Sequence, residues 1–185
     1  MSERARLTVL IGIVATFIAG ASTVFVVGST NRRNDKGAVL RYEASIIAQM
    51  REMTVVAGSL EDAADAVARG RLPAAAFAAS ATQFQKTLSD VAERINAVRV
   101  PAPFGAGEKM FAPAAAEYAK AASLYATACA QNSVGPTSSC LAPASASTAA
   151  QHALSLYLTA VRVLQDTRTR LGLGRSANFP LELPR

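Results

Sequence analysis

Tryptophan is absent from the chain, histidine occurs once and cysteine twice, so the side chains that most often ligate metals or shuttle protons are scarce. His152 alone leaves no Glu-x-x-His pattern of the kind found in di-iron bundles. Cys129 and Cys140 form neither a Cys-x-x-Cys pair nor the Cys-x-x-Cys-His of covalently attached haem. Gly105-x-Gly107 and Gly172-x-Gly174 do not follow a strand pattern and do not lead into Lys-Ser/Thr, which removes a phosphate loop. The net charge is +6, yet no block of five or six basic residues and no basic–aromatic strip occurs, so nucleic acid is not an expected partner. With no paired catalytic groups at helix spacing, the expectation is a protein that is not an enzyme and carries no cofactor or metal.

What the chain has in abundance is alanine, and with only 11 glycines in 185 residues its composition suits helices better than sheet. Between Leu7 and Val27 no charged residue occurs, a stretch matching the roughly 20 residues needed to cross a hydrocarbon core of ~30 Å. Arg4 and Arg6 precede it, and Arg32, Arg33 and Lys36 follow. A cleaved signal peptide with Ala19-Gly20-Ala21 as its cleavage site is the alternative. Retention as a signal anchor is favoured because cleavage would leave the apolar Val24-Phe25-Val26-Val27 near the new terminus. The basic residues after the span favour a cytoplasmic C-terminal part. A short charged N-terminus is hard to translocate, however, and a long following domain crosses largely regardless of charge. The expected placement is therefore N-terminus inside and bundle outside. Gly12, Thr16 and Gly20 recur every four residues and offer a face for close helix packing.

Beyond the span, four apolar stripes with spacings of three and four predict four helices. The first runs through Ile46, Met50, Met53, Ala57, Leu60, Ala64 and Val67, the second through Phe77, Ala81, Phe84, Leu88, Val91, Ile95 and Val98. The third carries Phe111, Ala115, Tyr118, Ala122, Tyr125 and Cys129, the fourth Ala150, Leu154, Tyr157, Val161, Leu164 and Leu171. Gly70, the Pro101–Gly107 run, the polar stretch 131–143 and Gly172 supply the connections and the stop. The fold class is all-α: an N-terminal transmembrane helix plus an antiparallel up-down-up-down four-helix bundle. The expected divisions are a short cytoplasmic N-terminus (1–6), the transmembrane helix (7–28), a basic linker (29–36), the bundle (37–174) and an extended arm (175–185). The arm carries Phe179, Leu181 and Leu183, which either pack back or meet a partner; packing back is the favoured outcome.

Cys129 and Cys140 flank the third connection, where a disulfide would restrict the unfolded chain. His152 tempts a haem reading with Met50 or Met53. In an antiparallel pair, though, it stands about six residues, or ~9 Å, too far along, and on the outer face of its helix. Glu61, Asp62 and Asp65 are expected to be a solvated face. Up-down topology gathers Arg32, Arg33, Lys36, Arg41, Arg99, Lys109, Arg168, Arg170 and Arg175 at the membrane-side end, against Asp35, Glu43, Glu108 and Asp166. Of these, Arg32, Arg33, Lys36, Arg41, Arg168, Arg170 and Arg175 are the expected contacts to anionic lipid headgroups.

The function this predicts is a non-enzymatic, membrane-anchored accessory or scaffold subunit of bacterial type. It would present an extracytoplasmic bundle to other proteins of a membrane complex, or to a second copy of itself. The alternative is an extracytoplasmic, sensor-like bundle that binds a ligand; with six residues before the span, its signal would pass through a partner.

Overall fold

The structure is a computed structural model; it describes residues 31–105, 109–131, 140 and 143–179, and for 3–30 the helical backbone alone. The described residues form four α-helices and no strand: α1 Glu3–Ala68, α2 Ala74–Ala97, α3 Ala112–Gln131 and α4 Ala144–Leu171. A 3-10 turn, Ala102–Phe104, lies between α2 and α3.

Residues 29–36, expected as a linker, are helical, and α1 passes through them without a break. The stretch contains no proline, and a lone glycine such as Gly28 or Gly37 costs only about 1 kcal/mol in a helix interior. Helix propagation is cheap once nucleated, so two strongly helical flanks carry the polar stretch between them.

The buried stripe of α1 begins earlier than the sequence suggested, at Val39 and Tyr42, and continues through Ile46, Met50, Met53, Ala57, Leu60 and Val67, while Ala64 is only half-buried. On α2, Phe77, Ala81, Leu88, Val91 and Ile95 are buried; Phe84 is half-buried and Val98 caps the helix from outside. All six expected positions of the third stripe are buried, Phe111 just before α3 and the other five on it, and so are Ala112, Ala114, Ala119 and Ala121, so this helix is covered on more than one face. Small side chains allow that. The backbones of α2 and α3 approach most closely and α4 lies against α3, whereas α1 rests mainly on α2 and stands off from α3 and α4 behind large side chains such as Ile46, Met53 and Leu60. On α4, Tyr157, Val161, Leu164 and Leu171 are buried as expected; nearer its start Ala146, Ala149 and Ala153 face the core, with Ala150 and Leu154 at its margin.

Helix ends follow local chemistry. Pro73 and Pro143 precede α2 and α4 in extended conformation, and Pro113 sits in the first turn of α3, where its missing N–H has no intrahelical partner to lose. Gly172 ends α4 in the left-handed region (φ 71°), which lets its own N–H reach the Arg168 and Thr169 carbonyls while the Leu173 N–H also donates to Arg168.

After Gly172 the chain turns back onto the bundle. Gln165 donates to the Ser176 and Phe179 carbonyls and accepts from the Ser176 N–H, which brings Phe179 into the core with its ring stacked on Phe111, centroids 5.7 Å apart. The arm packs back as far as Phe179. Leu181 and Leu183 lie outside the described residues.

Candidate functional site

The contacts collect the charged and polar residues into two groups. In one, the 32–45 part of α1 meets the end of α2, the Val100–Met110 connection and the end of α4 with its returning arm. In the other, the 61–68 part of α1 meets Tyr125 of α3 and the 147–154 part of α4, with the start of α2 close by through a Phe77–Tyr125 ring contact at 5.5 Å.

The first group is basic. Arg32, Arg33, Arg41, Arg170 and Arg175 are exposed and Lys36 is half-buried. Arg32 donates to the Arg170 carbonyl (3.3 Å), and Arg170 donates to the Pro103 carbonyl (2.6 Å), which ties α4 to the start of the bundle and to the α2–α3 connection.

Arg168 requires a correction, because it is turned into the protein and not toward a headgroup. Its guanidinium meets both Glu43 carboxylate oxygens at 2.6 Å, with each side chain 9 % exposed, and its remaining donors reach the Gly174 and Leu173 carbonyls. A charge so placed is neutralised and out of reach of a surface. Glu43 and Arg168 were not paired by reading the sequence, yet the signal was there. Residue 168 fills the gap between Leu164 and Leu171 in the four-three spacing, and residue 43 the gap between Val39 and Ile46. An arginine on a buried stripe demands a buried acid.

Two clefts open on this basic group. The first, about 270 Å³, is lined by Tyr42, Ile95, Asn96, Val98, Arg99, Val100, Lys109, Met110 and Ala112. The second, about 630 Å³, shares Tyr42, Val98 and Arg99 and adds Asp35, Arg41 and the Pro101–Pro103 turn. Tyr42 is the wall between them: its ring is buried against Phe104 (5.4 Å) and its hydroxyl has no hydrogen-bond partner among the described residues. Burial pushes that hydroxyl's pKa up to about 12, so it is a neutral donor at physiological pH.

The second group is acidic. A shallow groove between α1 and α4 is lined by Glu61, Ala64, Asp65, Tyr125 and Leu154. Partial burial, then the neighbouring Asp62, raises the Glu61 carboxyl above its ordinary range. Behind it the Tyr118 hydroxyl is fully buried without a partner among the described residues, and desolvation, then Glu61 and Tyr157, pushes its pKa up. No group of three or more His, Cys, Asp or Glu converges as a metal site among the described residues.

Cys129 and Cys140 are joined in a disulfide across the α3–α4 connection, with Cα atoms 5.0 Å apart. His152 is exposed, its Nδ1 3.7 Å from Glu117, while Met50 and Met53 are buried in the core. Among the described residues no helix is long and apolar enough to cross a membrane. The expected span and its small-residue face, Gly12, Thr16 and Gly20, lie outside the residues whose side chains are described. The chain matches no family model, no curated protein and no solved structure, so its own residues carry the functional argument.

Proposed function

We propose that the chain is a non-enzymatic, membrane-anchored subunit. Leu7–Val27 crosses the bilayer as a signal anchor, and an up-down-up-down bundle stands on the extracytoplasmic side, offered to partner proteins of a membrane complex. The observation that carries this reading is the continuity of α1, from the uncharged stretch into the bundle core. Three further features support it. The exposed cations Arg32, Arg33, Arg41, Arg170 and Arg175 gather where α1 enters the bundle, as contact with anionic headgroups requires. The disulfide suits an oxidising compartment. Leu40 and Val55, the exposed large apolar side chains among the described residues, both lie on α1 and offer a partner contact. Protease added to intact spheroplasts is expected to digest the bundle, and carbonate washing to leave the chain in the membrane. Full protection until lysis reverses the topology, and release by carbonate removes the anchor.

A second reading, an extracytoplasmic bundle that binds a ligand and signals through a partner, is favoured by one observation: the two adjoining clefts beside Tyr42.

A further inference from the structure

We propose that the smaller of these clefts binds the head of an anionic membrane phospholipid, its phosphate held by Arg99 and Lys109 and the first carbons of its acyl chain laid on Ile95 and Met110. That the ligand comes from a bilayer rests on the anchored reading above; the chemistry of the cleft does not.

Among the described residues neither Arg99 nor Lys109 has an ion-pair or hydrogen-bond partner, and none of those lining this cleft carries a carboxylate. Two cations lining one concavity favour a monoanion or dianion there, because a single ligand relieves their mutual repulsion. The Tyr42 hydroxyl and the Asn96 amide line the same cleft and supply neutral polar groups that can donate to an incoming acceptor oxygen. The other walls are apolar, which a free inorganic anion would not use. An anion attached to a hydrocarbon chain satisfies both halves. At about 270 Å³ the cleft falls just below the ~300–1,000 Å³ of pockets that enclose a drug-sized ligand, so it takes a headgroup and the first chain carbons while the rest of the lipid stays outside. The adjoining larger cleft is the weaker anion site, since Asp35 there offsets Arg41.

The full chain, purified in a non-ionic detergent, is incubated with phosphatidylglycerol or phosphatidylcholine, and retained lipid is counted by native mass spectrometry. One phosphatidylglycerol per chain is expected, with phosphatidylcholine retained at least about tenfold less. Arg99→Glu with Lys109→Glu should weaken phosphatidylglycerol retention by roughly thirtyfold or more, the worth of two cations at an anionic surface. Lys86→Glu with Arg162→Glu makes the same charge change at exposed positions outside both the clefts and the basic group and should leave retention within about twofold. Tyr42→Phe keeps the ring against Phe104 and should still lower retention. If the glutamate pair fails to give the wild-type helical circular-dichroism spectrum, Arg99→Gln with Lys109→Gln decides instead.

Equal losses from the cleft pair and the control pair would mean diffuse charge and overturn the site. Equal retention of the two lipids would overturn its anion selectivity, and displacement of phosphatidylglycerol by millimolar inorganic phosphate would make it a free-anion site. None of these outcomes depends on whether Leu7–Val27 spans a bilayer, which the spheroplast assay decides separately.

Discussion

Glu43 and Arg168 place a full charge pair inside a small helical protein, where taking both ions out of water costs several kcal/mol each. The geometry offsets that cost: both carboxylate oxygens are engaged, and the arginine also holds the carbonyls of Leu173 and Gly174 that follow α4. Removing one partner is therefore worse than removing both. Glu43→Gln is expected to cost about 3–5 kcal/mol by denaturant unfolding, because it leaves a buried guanidinium without its counter-ion. Adding Arg168→Met should return part of that loss, and the part not returned measures the two carbonyls left behind. A loss below about 1 kcal/mol for Glu43→Gln would place the pair among solvent-screened surface bridges. The exposed Arg94–Glu52 pair, 2.6 Å apart between α2 and α1, belongs to that weaker class.

The helices themselves were legible in the sequence, because apolar residues at spacings of three and four leave little choice of face; Phe77, Leu88, Val91, Ile95, Tyr118 and Tyr157 all lie where periodicity put them. The start of α4 was not legible for a simple reason: Ala149 and Ala150 have the same hydropathy, and only packing against α3 selects between them. The continuity of α1 was hidden for a different reason, since residues 29–36 carry no apolar period and helical flanks decide their state. Of the cleft, Arg99 and Lys109 were recognised as basic-end residues, but the wall made by Tyr42 depends on which helices close around it. Phe179 packs back as the sequence reading favoured, a residue of the arm that completes the core beneath Phe111. Phe179→Ala is expected to destabilise by about 3–5 kcal/mol, as for a core aromatic, and to increase hydrogen exchange along the end of α4. A change under about 1 kcal/mol would show that the arm is not part of the cooperative fold.

For the whole molecule, the Cys129–Cys140 bond closes a short connection next to the acidic group, while the basic group and the returning arm secure the other set of helix ends. Closing a loop of this length restricts the unfolded chain by roughly 3 kcal/mol. Thiol labelling of unreduced protein is therefore expected to find no free cysteine, and reduction to lower the unfolding midpoint without abolishing the helical signal. Labelling of both cysteines in native material would remove the disulfide's support for an oxidising compartment. Finally, α1 spans 66 residues, about 100 Å of unbroken helix at 1.5 Å per residue. A rod of this kind transmits phase as well as length: each residue inserted between Gly28 and Lys36 advances everything after it by 1.5 Å and swings it by about 100°. The bearing of the Tyr42 cleft relative to whatever holds the N-terminal half of α1 is thus quantised, and insertions of about seven, eleven or eighteen residues, close to two, three and five full turns, restore it.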